Sequence, residues 1–333
     1  MGSLFFCFCI LLRRCFPIIR KYLDSISWVL TSLILFTAGI VIPFASPFTL
    51  VVAQVPFFVI TEKTGPKTAL AAFVLALPAV FFIGSLAGVL IYTALFSLTG
   101  VACALLSRRS HSLYEYGTKA VAVSLFGKVM LLAVSVVFFR YNPFVVTPEM
   151  AAEIEAVISS LALESGAPVD TAGFASYTAS VSKTLSMMMP TMLIIFSVLE
   201  TYVSYTIIRF IFRKIPAIRL HPVPPFGEWK CPPTIFSALI ASLVMELLAK
   251  SSPENALFSV LALNLMEVTR FILVVEGLSV MWYFMGRKGV YKIFRTLIII
   301  LTIVFAPLSY VMSMLGIFDI WYDLRKGKKE RKI

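Results

Sequence analysis

Read for the spacing of its apolar and polar positions, the chain is a succession of long apolar blocks separated by short polar or basic stretches. Ile26 to Pro43, Ser85 to Leu106, Thr191 to Phe212, Ala256 to Tyr283 and Thr296 to Phe318 are each near or above the roughly 20 residues that an α-helix needs to cross hydrocarbon. In lipid every backbone N–H and C=O must find its partner inside the protein, which leaves only helices and closed barrels as spanning structures. The blocks lack the short alternating strands of a barrel, so they read as helices. The spans predicted in this way are 26–43, 47–61, 68–83, 86–106, 117–139, 187–212, 234–249, 256–284 and 291–317. The expected fold is all-α, a polytopic integral membrane helical bundle of eight or nine spans.

Charge sets the orientation. Lys and Arg cluster as Arg13, Arg14, Arg20 and Lys21; Lys63 and Lys67; Arg108, Arg109 and Lys119; Arg209, Arg213, Lys214, Arg219 and Lys230; and Arg287, Lys288, Lys292 and Arg295. Each cluster falls between alternate blocks. The long intervening segment from Tyr141 to Ser186 instead carries Glu149, Glu153, Glu155, Glu164 and Asp170 against the single Lys183. Cytoplasmic loops are the basic ones, so the N-terminus is expected inside and that acidic segment outside. Nine crossings would then leave the tail cations Arg325, Lys326, Lys328, Lys329, Arg331 and Lys332 outside, against the same rule. A cytoplasmic tail with eight effective crossings is the expectation. The atypical segment is sought among the short second and third spans and the last, which Pro307 could break into a re-entrant pair.

The pattern divides the chain into a cytoplasmic or interfacial N-terminal segment (1–25), a first membrane half (26–140), an extracytoplasmic amphipathic helical hairpin (141–186), the sixth span (187–212), a cytoplasmic proline-rich linker (213–233), a second membrane half (234–317) and a basic cytoplasmic tail (318–333). The hairpin is signalled by Thr147, Pro148 and Glu149 as a helix start and by Met150, Ile154, Val157, Ile158 and Leu161 at helical spacing. It reads either as a helix pair resting on the outer interface or as a lid over a cavity. The linker holds Pro216, Pro222, Pro224, Pro225, Pro232 and Pro233, a composition that resists helix.

Composition narrows the class further. Apolar residues make up 59% and charged residues 14% of the 333 positions, outside the range of soluble domains. The net charge of +12 reports orientation and contact with anionic lipid. Nucleic-acid binding is disfavoured, because the cations sit at helix ends with no recognition motif. Cys7, Cys9, Cys15, Cys103 and Cys231 lie in or near segments assigned to the cytoplasmic side and lack zinc-site spacing, as do His111 and His221. No disulfide, metal or cofactor is expected. Nucleotide-binding, zinc-protease, nucleophile-elbow and dinucleotide motifs are absent, which argues against an enzyme and assigns any ATP-driven step to a separate ATPase subunit.

Ionisable residues inside spans are costly and are functional suspects. Lys128 falls within the fifth span, Glu200 within the sixth, and Glu267 and Arg270 three apart in the eighth, with Asn264 one turn earlier and Glu276 further along. Glu267 and Arg270 can pair on one face, Glu276 points roughly the opposite way, and Ser197 and Ser204 extend Glu200 into a polar stripe. One reading is that Lys128, Glu200, Asn264, Glu267 and Arg270 converge on a pocket for a small solute or on a proton relay. The other is that they form buried pairs that fix helix register without any ligand. Small residues at Ala72 and Ala76 and at Gly84 and Gly88 permit close helix packing, and Glu246 and Lys250 form an ordinary interfacial pair.

The end of the chain, Gly277-Leu-Ser-Val-Met-Trp-Tyr-Phe284 followed by Leu315-Gly-Ile-Phe-Asp-Ile-Trp-Tyr-Asp-Leu-Arg-Lys326, resembles the YybS-like family of uncharacterised bacterial membrane proteins. Pro224-Pro-Phe-Gly-Glu-Trp229 and Phe48 to Arg109 are similar to that family's middle and N-terminal half. The resemblance implies a fold similar to the substrate-binding S components of energy-coupling factor transporters, and with it uptake of a vitamin or metal across a bacterial inner (plasma) membrane. The first span lacks the S components' docking alanines at every fourth place, and the outside hairpin is an addition to their pattern. The expected partners are the lipid bilayer, a small-molecule solute and a partner membrane or ATPase subunit. The alternative is a non-transporting scaffold of an envelope complex. The Asp319, Trp321, Asp323 and Arg325 cluster reads as an amphipathic end lying on the inner leaflet or, in the rival reading, as a docking surface for a cytoplasmic partner.

Overall fold

The computed structural model describes residues 23–140 except 43 and 44, residues 183–325 except 214, 216, 217, 219 and 253, and the helical positions 152, 156 and 180. All of the expected outside hairpin except 152, 156, 180 and 183–186, the first cationic cluster, Cys7, Cys9, Cys15 and the cations beyond Arg325 lie outside the described residues. Every regular element among those described is helical. Five helices are long and apolar enough to cross a membrane, or six if one sharply bent pair is counted as a single span. The chain divides into two compact units: residues 1–142 with 196–223, and residues 143–195 with 224–333.

In the first unit α1 (Leu23–Val41) is followed by two short helices, α2 (Ser46–Val52) and α3 (Val55–Thr64), each with a proline in its first turn where the missing N–H costs nothing. The segment expected as the span 47–61 is therefore two helical pieces, each too short to cross hydrocarbon alone. Next, α4 (Pro66–Ile91) continues through a π-helical turn, Tyr92–Leu98, into α5 (Thr99–Arg109). This helical run of 44 residues is not straight. Ser85 adopts φ 56 and ψ −163, a conformation that turns an L-residue chain out of the helix. Phe73 and Tyr92 stack with ring centroids 6.4 Å apart, whereas nineteen residues along a straight helix would separate them by about 28 Å. The run doubles back at Ser85 as a helical hairpin, with arms that match the expected spans 68–83 and 86–106.

The hairpin closes on an aromatic core. Tyr92 is fully buried against Phe36, Phe57, Phe73 and Phe96, and its hydroxyl lies 2.5 Å from Ser32 Oγ. Ala72 and Ala76 are buried in the same cluster, while Gly84 and Gly88 make room for the Phe36 ring. A second cluster joins Val55, Phe58, Cys103, Tyr116, Tyr205, Ile208 and Phe212, drawn from α3, α5, α6 (Leu113–Phe139) and α7 (Met189–Phe212). The first turns of α7 belong to the second unit and the remainder to the first.

The second unit holds a 3-10 turn (Phe226–Glu228), α8 (Ile235–Ser251), α9 (Ala256–Arg287), α10 (Lys292–Val304) and α11 (Ala306–Tyr322). Asn255 caps α9, its side chain accepting from the Leu257 N–H at 3.1 Å. The last expected span, 291–317, is broken: α10 and α11 meet at Phe305 with a bend of 111°. The cause is Pro307, which has no N–H to donate and whose ring would clash with the carbonyl four residues earlier, so that no helix runs through it; it sits instead in the first turn of α11, with Phe305 extended (φ −111, ψ 100) as the N-cap.

Candidate functional site

The first unit encloses a charge pair. Lys128, on α6, is 8% exposed and Glu200, on α7, is 1% exposed, and the Lys128 ammonium contacts Glu200 Oε2 directly. Ser124, one turn before Lys128, donates to the same oxygen at 2.7 Å, and Lys128 Nζ lies 2.6 Å from Ser124 Oγ. The Phe196 ring covers the ammonium at 5.5 Å. From the turn between α2 and α3, Gln54 Nε2 reaches the Glu200 carbonyl at 3.5 Å. Gly127 lets α6 approach the π-helical turn, since a Cβ there would stand 3.2 Å from the Ala94 carbonyl. Ser204 donates to the Val51 carbonyl at 2.6 Å, so the polar stripe along α7 is built into the packing. Glu200 Oε1 and Gln54 Oε1 are buried without a hydrogen-bond partner among the described residues. A buried ion pair with unsatisfied acceptors is expensive in an apolar bundle.

The other three residues singled out in the sequence lie in the second unit. Asn264 spends its whole side chain on helix positioning. Its Oδ1 accepts from the Thr191 N–H at 2.9 Å and from the Thr191 hydroxyl at 2.8 Å, and its Nδ2 donates to the Met187 and Val260 carbonyls, each at 2.7 Å. It thereby satisfies an orphan N–H in the first turn of α7. Glu267 and Arg270 pair at 2.7 Å, and Arg270 also donates to the Tyr310 hydroxyl at 3.1 Å across the start of α11.

The second unit also contains a buried cluster that the sequence reading did not assemble. Arg325 follows a left-handed turn at Asp323 (φ 44) and folds back against α9. Its guanidinium contacts Glu276 and Asp319, and it donates to the carbonyls of Gly227 and Trp229 and to Ser279 Oγ. Glu276 Oε2 in turn accepts from the Cys231 N–H at 2.8 Å. The reading of this end as an amphipathic surface on the inner leaflet fails for the first and last residues of the cluster, since Asp319 is 3% and Arg325 8% exposed. The Lys230 to Asp323 pair at 2.6 Å and the exposed Trp321, Tyr322 and Leu324 face outward. The available signal was the odd count of charges: one cation close behind Asp319, and Glu276 in the eighth span with no partner on its own helix.

The family described as predicted membrane protein (DUF2232) matches residues 29–320. The chain belongs to that family. It is similar to the uncharacterized protein YybS of Bacillus subtilis (strain 168), 22% identical over 316 residues that cover 92% of this chain and 96% of that protein. No solved structure matches the chain.

Among the described residues no three His, Cys, Asp or Glu side chains gather as a metal site. In the first unit a cleft of about 530 Å³ is lined by Glu62, Lys63, Ser107, Arg108, Ile215, Ile218 and Leu220. Arg108 closes off the end of α3 there, donating to the Thr61 and Glu62 carbonyls and to Glu62 Oε2. Burial pushes the Glu62 carboxyl above its ordinary range, with Arg108 pulling the other way. His221 and Tyr205 are tied to the backbone, His221 Nε2 lying 2.9 Å from the Ser110 carbonyl and the Tyr205 hydroxyl donating to the His221 carbonyl at 3.2 Å.

Proposed function

We propose that the protein is a solute-binding component of a transport system in a bacterial inner membrane, built as an S-component-like bundle with eight effective crossings and no catalysis of its own. The observation that carries this reading is the Lys128 to Glu200 pair. It lies in an apolar helical unit with two buried oxygens, Glu200 Oε1 and Gln54 Oε1, that have no partner among the described residues. A pair that served only to fix helix register would be favoured by satisfying all of its hydrogen-bonding groups. Unsatisfied acceptors beside an ammonium and a carboxylate suit a ligand that supplies a donor to Gln54 and Glu200. In this reading the solute is held within the first unit, whereas Asn264, in the second, sets the start of α7. Energy for uptake comes from a separate ATPase subunit, since the sequence carries no nucleotide-binding motif.

The test is thermal stabilisation of the purified protein by vitamins, metal ions and nucleosides. A ligand at one hundred times its Kd stabilises by about 2.7 kcal/mol, and Glu200→Gln should abolish the shift. A flat response across the whole screen overturns the proposal and favours the scaffold.

A further inference from the structure

The helices of the second unit keep a register that fixes how deep each lies. Arg270 meets Tyr310, Gly277 meets Gly316, and Glu276 and Ser279 meet the Asp319 to Arg325 end. Residue numbers rise together along both helices, so α9 and α11 run parallel. Between them α10 starts beside the end of α9, where the Arg295 guanidinium sits 5.3 Å from the Trp282 ring. From there α10 leaves the end of α9 obliquely, nearer perpendicular than antiparallel to it, until the 111° bend at Phe305 turns the chain into α11. At 13 residues α10 is about 20 Å long, short of the roughly 30 Å of hydrocarbon. Tyr310 is level with Arg270, so Ala306, four residues earlier, is level with Met266. That is about 15 Å, or ten residues, short of the first residue of α9.

The apex thus lies at depth, and it is polar. The break leaves carbonyls of the last turn of α10 without intrahelical partners, while in α11 Pro307 has no N–H and the Leu308 N–H bonds the Phe305 carbonyl at 3.0 Å. Such groups are tolerated at membrane depth only against protein or water. The ion pair beside the break is not sealed either: the Arg270 side chain is 34% exposed and that of Glu267 17%. Charged groups exposed near the middle of a 32-residue span cannot face lipid.

We infer that α10 and α11 form a re-entrant pair whose apex, at Phe305 to Tyr310, borders a water-filled pocket. The pocket opens to the side of the membrane from which α9 starts, and Glu267, Arg270 and the Tyr310 hydroxyl line it. The pair enters and leaves by one face, which places Arg325 on the side of the basic Arg287 to Arg295 turn and reconciles the chain end with the orientation of the cations. The pocket gives a hydrophilic solute access to the middle of the second unit. This inference stands apart from the Lys128 to Glu200 site and does not depend on it.

The test uses the full chain with its five cysteines replaced by serine, single new cysteines, and a membrane-impermeant maleimide applied to intact spheroplasts and to inverted vesicles. Ser309→Cys and Ala306→Cys should be labelled in spheroplasts as readily as Ser252→Cys, in the connection between α8 and α9. Met314→Cys, one turn further along α11 on an exposed apolar face, should stay unlabelled from either side. Leu324→Cys should react only in inverted vesicles. Labelling of Ser309→Cys and Ala306→Cys as slow as that of Met314→Cys overturns the pocket. Labelling of Leu324→Cys in spheroplasts overturns the re-entrant path. Monodisperse elution of each variant in detergent shows that the fold is kept.

Discussion

Gly277 and Gly316 face each other where α9 crosses α11, and neither has room for a side chain. A Cβ on Gly277 would overlap the Met312 carbonyl, and one on Gly316 would overlap the Leu273 carbonyl. The backbones approach this closely because membrane helices are held together by packing rather than by exclusion of water. The crossing sets the depth of α11, and with it the positions of Tyr310 at one end and Arg325 at the other. Gly277→Ala and Gly316→Ala should each lower stability by about 1–3 kcal/mol through overpacking, and valine at either position should cost more. Thermal unfolding of the purified variants measures this.

Arg325 is the fastener of the chain end. Its removal leaves Glu276 and Asp319 buried without their counter-charge, so Arg325→Ala should destabilise the second unit by about 3–5 kcal/mol. Arg325→Lys should recover little, because a single ammonium cannot replace a planar fork that reaches two carboxylates, two carbonyls and a hydroxyl. Urea or thermal unfolding followed by Trp229 and Trp282 fluorescence would read the loss.

Cys231 is set against the same cluster. Burial, reinforced by the negative charge of Glu276, pushes its thiol up to about 12. The thiolate is the nucleophile, so a protein in which Cys231 is the sole cysteine should react very slowly with maleimide near neutral pH, and the rate should climb as pH rises. Glu276→Gln removes the charge that holds the proton on and should speed labelling at a given pH, while Ser279→Ala should change it little. Equal rates for Cys231 and an exposed cysteine would contradict this placement.

Asn264, with all of its side-chain polar atoms bonded, offers a clean test of helix capping in the membrane. Asn264→Ala leaves the Thr191 N–H and the Met187 carbonyl without partners and should cost about 1–3 kcal/mol. Asn264→Asp keeps the acceptor but turns a carboxylate oxygen toward the Met187 and Val260 carbonyls, and should cost at least as much as alanine. If Asn264→Ala also abolished a ligand response while leaving stability intact, its assignment as a positioning residue would be wrong.

Much of this was legible in the sequence, because apolar length and short-range spacing are local properties. The blocks gave α1, α6, α7 and α9 to within a few residues, Pro307 marked the break before α11, and the pairs three and four apart, Glu267 with Arg270 and Glu246 with Lys250, formed as their spacing predicts. The Ser85 reversal was visible only as a division between two expected spans, with no proline or polar loop to mark it. Which distant residues pair was not legible, although Lys128 and Glu200 stood in one group of suspects. Lys128 and Glu200 are 72 residues apart, Glu276 and Arg325 are 49 apart, and no periodicity links such positions. Arg325 read as one more tail cation because the cost of burying it is met only by carboxylates on α9 and α11 together.

The most direct measurement is a double-mutant cycle on Lys128 and Glu200 that reads stability and ligand response in the same samples. Lys128→Met and Glu200→Gln should each destabilise by about 3–5 kcal/mol, since each leaves a buried group without its counterpart, and the double variant should recover most of that loss. If the pair binds the solute, the recovered double variant will be folded yet unresponsive to the ligand that stabilises the unchanged protein. A double variant that is stabilised by that ligand as strongly as the unchanged protein would contradict the account, and would leave the pair as a structural bond between α6 and α7.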